Sequence, residues 1–218
     1  MKLSVVLLSI PKTIWINLRC LPFSQAVRLP IWVRYDTKMS LKGKILLSRP
    51  GFAMIRIGFH KVPICDARDT TVIDVSRSGE LVFHGTAHIG HGTKIYVAPG
   101  ACLGIGDNFA VSASSQINCY KKIRFGRDIQ FSWDCLVMDS DTHEIFDENG
   151  YLMNEPREIV IGKHIWVGCR VTILKGSYIP DGCVVGACSL VSGKGFEKGS
   201  IIAGSPAKSI KKISNWKL

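Results

Sequence analysis

The sequence predicts an all-β chain that coils into a parallel β-helix, and a repeat of six residues is the first observation that predicts it. Between residues 161 and 191 every sixth position holds a β-branched aliphatic: Ile161, Val167, Ile173, Ile179, Val185 and Val191. A period of six fits neither an amphipathic helix nor a plain alternating strand. It is typical of a solenoid in which each hexad supplies a short strand and a corner.

The residues between these aliphatics favour the same fold. Glycine follows three of them, at 162, 168 and 186, where the chain has to bend. Four residues past each aliphatic the side chain is mostly small or aliphatic: Ile165, Val171, Ser177, Cys183, Ser189 and Gly195. A looser hexad series precedes them, so the sequence predicts two repeat blocks, at about 75–138 and 159–195.

Three parts are predicted along the chain. Residues 1–45 carry no hexads and mix apolar with basic residues, and their prolines should keep any helix short. This part is expected to cap the open end of a β-helix domain at 46–203, and such an apolar-basic segment also suits contact with a membrane surface. Residues 204–218 are expected to form a basic C-terminal tail.

A polar, locally acidic insert at 139–158 interrupts the repeats. A loop of this length in a solenoid is typical of a functional site. His143 lies near its start, and an imidazole is the side chain best suited to act as a general base near neutral pH. A neighbouring carboxylate can orient such a base, and the sequence leaves Asp139, Asp141 and Glu144 as candidates.

Composition limits the partners. The formal net charge of +11 favours a polyanion as a binding partner, but the basic residues are scattered without a nucleic-acid-binding motif, so no nucleic acid is expected.

The eight cysteines include no C-x-x-C pair, which suits a reducing cytoplasm. His88 and His91 lack a third ligand at useful spacing, so no metal is expected. No run of 18 apolar residues occurs, and the apolar opening lacks a cleavage site, which favours a retained segment.

Four features in this order resemble one known family: the hexads, the stretch Asp139–His143, the stretch Ile161–Gly168 with its Trp-Val-Gly, and Gly204-Ser205-Pro206-Ala207-Lys208. Together they resemble the hexapeptide-repeat acyltransferases, in the maltose/galactoside O-acetyltransferase-like branch that includes enzymes of surface-polysaccharide synthesis. The resemblance covers about 75–211. It implies a left-handed parallel β-helix, a homotrimer with active sites between neighbouring subunits, and acetyl-CoA as the acyl donor.

The resemblance also implies roles for individual residues. His143 matches the catalytic base, and Trp166 matches an aromatic that walls the acceptor pocket. Ser114 stands where sugar acetyltransferases carry an asparagine, although a small shift would bring Gln116 or Asn118 there. The positions expected to contact acetyl-CoA are Gly168, Cys169, Ala187, Ser192, Gly193, Lys194, Lys208 and Lys211.

The predicted function is therefore O-acetyl transfer to a sugar hydroxyl in cell-surface polysaccharide biosynthesis, in the cytoplasm or at the inner membrane face. N-acetyl transfer to an amino sugar is the nearest enzymatic alternative. A non-catalytic β-helix scaffold is another, and it would not need a base at His143. A zinc hydratase of the γ-carbonic anhydrase type would need His84, His88 and His91 to converge on one corner.

Overall fold

Most of the chain forms short parallel strands in the computed structural model, which describes residues 3–63, 66 and 68–217. Two helices come first, α1 (Leu3–Cys20) and α2 (Phe23–Ala26). Strands then follow in chain order: β1 (Ile31–Val33), β2 (Lys38–Leu41), β3 (Lys44–Leu47), β4 (Ile55–Ile57), β5 (Val72–Val75), β6 (Glu80–Phe83), β7 (Ala87–His91), β8 (Lys94–Val97), β9 (Cys102–Ile105), β10 (Phe109–Ala113), β11 (Gln116–Cys119), β12 (Lys122–Phe125), β13 (Ile129–Trp133), β14 (Leu136–Met138), β15 (Ile159–Ile161), β16 (Ile165–Val167), β17 (Thr172–Leu174), β18 (Tyr178–Ile179), β19 (Val184–Val185), β20 (Leu190–Val191), β21 (Ser200–Gly204) and β22 (Ala207–Lys212).

Three sheets enclose one core because consecutive strands enter successive sheets. Sheet A has the order β1-β4-β7-β10-β13-β16-β19-β21-β22, sheet B has β2-β5-β8-β11-β14-β17-β20, and sheet C has β18-β15-β12-β9-β6-β3. Three strands and three corners thus make one coil. We call the corner between sheets A and B the AB edge, and the corner between sheets B and C the BC edge. The final pair, β21 and β22, is antiparallel.

Aliphatic side chains stack in columns through the core. One column in sheet A runs through Val33, Ile57, Ile89, Val111, Phe131, Val167, Val185 and Ile202, which are partners in register and are all buried. The six aliphatics predicted between 161 and 191 fall one to a strand from β15 to β20 and are at most 1% exposed. Each such side chain contributes about 1.5–3 kcal/mol by leaving water. The predicted parallel β-helix is confirmed.

The first coil begins at Ile31, ahead of the predicted boundary at residue 46. Strands β1, β2 and β3 pair in parallel with β4, β5 and β6 of the second coil. The repeat is hidden here because long corners, at residues 48–54 and 58–71, separate the strands. Of the segment expected to cap the β-helix, only α1, α2 and their connections precede the coils.

Helix α1 runs for 18 residues through Pro11, so the expectation of only short helices is wrong. Proline removes one helical hydrogen bond, to the carbonyl four residues earlier, and both Pro11 and Leu7 lie on the exposed side, where water can reach that carbonyl. By length and mean hydropathy α1 could cross a membrane, and about a fifth of it, 22%, is buried against the protein.

Besides the corner at 48–54, two longer corners interrupt the regular coils. The first, at residues 58–71, lies on the AB edge of the second coil, and its residues 64, 65 and 67 are outside the described part. The second is the predicted insert, which follows β14 and precedes β15 on the BC edge. These two corners bring side chains to the edges that carry the candidate site.

Candidate active site

The insert on the BC edge is a small hairpin. Phe146 and Leu152 form an antiparallel bridge. The carboxylate of Asp147 accepts hydrogen bonds from the amides of Asn149, at 2.9 Å, and Tyr151, at 2.8 Å. An aspartate that binds the backbone two residues ahead stabilises a tight turn. The insert therefore has a defined shape.

His143 is exposed near the root of this hairpin. Its Nδ1 atom lies 3.0 Å from the hydroxyl of Thr142. Asn154 fixes the backbone that follows the ring. Its Nδ2 donates to the His143 carbonyl at 2.8 Å and its Oδ1 accepts from the Ile145 amide at 2.7 Å. The backbone is held while the imidazole stays accessible.

Asp139 shapes the corner beneath the insert instead of orienting the histidine. Its carboxylate is fully buried and accepts hydrogen bonds from the amides of Tyr120, Lys121 and Lys122 at 2.6, 2.9 and 2.6 Å. These three hydrogen bonds replace the hydration that the carboxylate loses when it is buried. Burial raises the pKa of the Cys119 thiol, and the nearby Asp139 charge raises it further. Both oxygens face the preceding coil, so among the three candidate carboxylates Asp139 is engaged by backbone amides and not by the His143 ring.

Asp141 binds partners other than the imidazole. Its Oδ2 contacts the Nζ of Lys175 and accepts from Asn154 Nδ2 at 2.9 Å. The hydrogen bond from Lys175 lowers the pKa of Asp141 most, and the hydrogen bond from Asn154 lowers it further. Within the described residues no hydrogen bond or ion pair joins Glu144 to the ring. Sequence reasoning missed Asn154 and Lys175, although Lys175 occupies the BC corner one coil after the insert and stacking alone would place it there.

A second group of predicted residues lies on sheet A and the AB edge. Trp166, on β16, is 42% exposed and its Nε1 donates to Ser132 Oγ at 3.4 Å. Gly168 and Ala187 stack so closely that a Cβ on Gly168 would lie 2.7 Å from the Ala187 amide nitrogen. Cys169 belongs to the same corner, and its carbonyl accepts from the next coil at 2.9 Å. Small residues thus let neighbouring coils stack closely along this edge, where Gly168 is buried and Cys169 is half-buried.

Ser114 lies on the AB edge two coils earlier and has a positive φ of 48°. Its hydroxyl donates to Asp69 Oδ2 at 3.0 Å. Asp69 belongs to the long corner at 58–71, which the sequence did not single out. The serine at the asparagine position is therefore paired with a carboxylate from a different coil.

Basic residues mark both edges. Ser192, Gly193 and Lys194 follow β20 on the BC edge, and Lys194 lines a cavity of about 480 Å³ together with Lys121 and Arg157. Lys208 and Lys211 are exposed on β22, at the far end of sheet A. Clustered cations of this kind attract phosphate-rich ligands.

Within one chain the predicted residues fall on two different edges. The BC edge carries His143 and the turn 192–194, whereas sheet A and the AB edge carry Ser114, Trp166, Gly168, Cys169, Ala187, Lys208 and Lys211. The width of sheet B, roughly 10–15 Å for strands of this length, separates the two edges. A single chain does not bring the histidine to the other residues.

The C-terminal tail folds back onto the corner between sheets C and A. His164 Nδ1 contacts the Asp128 carboxylate, and its Nε2 lies 2.8 Å from Asn215 Oδ1. The ring stacks on Trp216 with centroids 4.3 Å apart, and Trp216 lies 6.4 Å from Trp166. The hydrogen bond to Asp128 is the main reason that the pKa of His164 is raised.

We expect Asp128→Asn to destabilise the protein more at pH 6 than at pH 9. The pKa of His164 is raised by folding, so its stabilisation is fully present below the unfolded value near 6.5 and is lost as the pH rises through the folded pKa. Thermal melts of both proteins across this range measure the effect. Asp134→Asn, at an exposed 3.9 Å ion pair with Arg170, is the control. A gap between wild type and Asp128→Asn that stays constant with pH would show that the imidazolium does not contribute.

No protein-family model matches the chain, but individual proteins do. WbbJ of Escherichia coli (strain K12), assigned as an O-acetyl transferase of lipopolysaccharide biosynthesis, is 28% identical over 151 residues, which are 65% of this chain and 76% of WbbJ. The polysialic acid O-acetyltransferase of Escherichia coli O1:K1 is 32% identical over 124 residues, 56% of this chain and 40% of that protein. The chain is therefore similar to O-acetyltransferases that act on surface glycans, in agreement with the resemblance to the hexapeptide-repeat acyltransferases.

A solved structure agrees on the fold. The crystal structure of the polysialic-acid-specific acetyltransferase NeuO has a TM-score of 0.54 at 23% identity, and the match covers 86% of this chain and 78% of NeuO. The fold is the left-handed parallel β-helix that the resemblance implied.

The three histidines required by the zinc-hydratase alternative do not converge. His84 Nδ1 contacts the Ser48 hydroxyl at 2.9 Å, the His88 side chain is exposed, and His91 is buried with its Nδ1 2.9 Å from Arg34. In the described part of the chain no group of three or more His, Cys, Asp or Glu side chains could hold a metal ion.

Proposed function

We propose that the protein transfers an acetyl group from acetyl-CoA to a sugar hydroxyl in a cell-surface polysaccharide or its precursor. The observation that carries this proposal is an exposed imidazole, His143, at the root of the insert in a β-helix whose relatives are named for O-acetyl transfer to such glycans. His143 accepts the proton of the acceptor hydroxyl as its oxygen attacks the thioester carbonyl. The acetyl ester forms, the C–S bond breaks, and the imidazolium returns its proton to the departing thiolate.

Acetyl-CoA is proposed to lie along the AB edge. The amides of the half-buried Cys169 and the exposed Ala187 are proposed to donate hydrogen bonds to the pantetheine arm, and a backbone amide there can stabilise the developing oxyanion. Lys208 and Lys211 supply positive charge for the phosphates, as does Lys194 from the BC edge. No metal is needed for this chemistry.

A homotrimer is proposed because one chain leaves the base and the donor edge apart. A threefold rotation sets the BC edge of each chain against the AB edge of the next and closes the assembly. The hairpin supports this arrangement, since Ile145, Phe146, Tyr151 and Met153 are 54–72% exposed at its surface. Apolar clusters of this kind mark protein contacts. The enzyme is proposed to act in the cytoplasm, at the inner membrane face.

Acetyl-CoA consumption with a panel of sugars tests the function. The purified protein is incubated with acetyl-CoA and with neutral, acidic and amino sugars and their oligosaccharides, and free CoA is quantified by chromatography. We expect acceptor-dependent CoA release and an acetyl group on the product that mild alkali removes, as it removes an ester. An alkali-stable product would indicate N-acetylation. Failure to bind acetyl-CoA would favour the scaffold alternative.

A further inference from the structure

Helix α1 buries three polar residues beside one apolar residue, Ile16, and exposes most of its large apolar side chains. An ordinary helix on a globular protein does the reverse. The buried polar residues Ser9, Thr13 and Asn17 are spaced by four and are at most 1% exposed. On the opposite side large apolar residues are 36–72% exposed, namely Leu3, Leu7, Leu8, Ile10, Ile14, Trp15 and Leu18. We call these seven residues the cap face.

The buried polar side chains take the place of a strand beside β1. Four helical residues advance about 6 Å and two strand residues about 6.6 Å, so every fourth helix residue meets every second strand residue. Asn17 accepts from the Ile31 amide at 3.1 Å and donates to the Ile31 carbonyl at 2.7 Å. Thr13 Oγ1 accepts from the Val33 amide at 3.1 Å and donates to the Val33 carbonyl at 3.3 Å. Ser9 Oγ accepts from the Tyr35 amide at 3.1 Å. The helix is thereby fixed flat along the end of sheet A.

This attachment decides the orientation of α1 in the folded protein. A helix that crossed a bilayer would lose all five bonds, leaving the edge of β1 without these partners and three polar side chains in hydrocarbon. Lying along β1, it keeps the bonds and turns the cap face outward. Although α1 is long and apolar enough to span a membrane, in the folded protein it lies along the end of sheet A.

The end of the molecule around α1 is strongly basic. Residues 3–56 contain one acid, Asp36, against nine basic residues: Lys12, Arg19, Arg28, Arg34, Lys38, Lys42, Lys44, Arg49 and Arg56. Arg19 and Lys42 line a cleft together with Trp15 of the cap face. An apolar helix face bordered by an indole and by cations is the arrangement of helices that bind in the interface of anionic membranes.

We propose that the cap face docks flat on an anionic lipid bilayer, with its apolar side chains in the boundary between headgroups and acyl chains and the flanking cations against lipid phosphates. A second copy of the chain is the other conceivable occupant. It would bring two strongly basic ends together, and like charges oppose that contact. The proposal does not depend on the acetyl-transfer chemistry.

Sedimentation with lipid vesicles tests the proposal. The full-length protein is mixed with vesicles of phosphatidylcholine alone or with phosphatidylglycerol, and we expect binding to the anionic vesicles that weakens as salt is raised. Ile14→Glu should weaken that binding at least tenfold, because it places a charge in the apolar face. Arg19→Glu should weaken that binding by about fivefold or more, because it removes one cation from the lipid-facing surface and adds an anion. Ile210→Glu, at a residue 64% exposed on β22, is the matched control and should bind like wild type.

Brominated lipids give a second measurement, since they quench a tryptophan that enters the acyl region. Quenching of the wild type should be lost in Trp15→Phe. The proposal is overturned if the wild type ignores anionic vesicles, if Ile14→Glu binds as tightly as wild type, or if Ile14→Glu halves the particle mass in solution, which would identify a second copy as the occupant. Acetyl transfer to a soluble acceptor should be the same in Ile14→Glu and wild type, so each proposal can fail without the other.

Discussion

His143→Ala is expected to lower kcat for acetyl transfer by about 10²–10⁴, the usual contribution of a general base. The imidazole is exposed and lies within hydrogen-bond distance of the Thr142 hydroxyl. Removing the imidazole should therefore leave the fold intact. Steady-state kinetics with acetyl-CoA and the best acceptor from the sugar panel measure the effect. Circular dichroism and the thermal midpoint should match those of wild type.

His84→Ala is the matched control, because His84 is also an exposed histidine at a corner of the β-helix but lies outside the proposed site. It should retain wild-type kcat. If His143→Ala were as active as wild type, the base would have to be another group and the role given to the insert would be wrong. A fall in kcat common to both variants would point to a general loss of structure.

Mixing two inactive variants is expected to restore activity if the site lies between subunits. His143→Ala leaves the AB edge intact, and Ala187→Trp blocks the AB edge while leaving the insert intact. When the two are dissociated and reassembled at equal amounts, about one interface in four pairs an intact edge with an intact histidine. Activity should therefore rise from near background to about a quarter of the wild-type value.

Each variant taken alone through the same cycle is the control and should remain inactive. Ala187 is exposed on its corner, so the larger side chain should not disturb the core. A mixture that stays at background, although mixed oligomers are found by mass, would place the base and the donor edge within one chain. That outcome would contradict the trimer proposal but leave the acetyl-transfer chemistry open.

The β-helix could be predicted because its period is a direct consequence of coil geometry. One residue of each hexad must point inward, so Ile161, Ile173 and Val191 are β-branched aliphatics and all are buried. The first coil escaped prediction since the corners at 48–54 and 58–71 shift the spacing, and a fixed period is no longer visible where corners vary in length.

Helix α1 could not be predicted from apolar periodicity, which assumes that the apolar side faces inward. Here the backbone N–H and C=O groups at the edge of β1 require hydrogen-bond partners, so α1 turns its polar side chains inward and its apolar side chains outward. The signal was present in the spacing of Ser9, Thr13 and Asn17, three hydrogen-bonding side chains four residues apart.

The sequence allows candidate site residues to be named, but it does not give their arrangement, and their roles remain predictions. His143 was found because a polar insert stands out from hexads. The sequence left three carboxylates open because proximity in sequence does not say which way a side chain points, and in the fold the Asp139 carboxylate is bound by the amides of the preceding corner. Asn154 was missed because its contacts arise only when the insert folds into a hairpin.

Both ends of sheet A are protected against strand addition, and by different means. At one end the side chains of α1 occupy the edge of β1, and at the other β22 reverses direction to pair with β21 and carries Lys208, Lys211 and Lys212 outward. Open strand edges invite another chain to add on, and repeated addition gives filaments. A solenoid built from stacked identical-looking coils would be especially prone to such axial growth. The helix at one end and the basic reversed strand at the other therefore oppose end-to-end growth through sheet A.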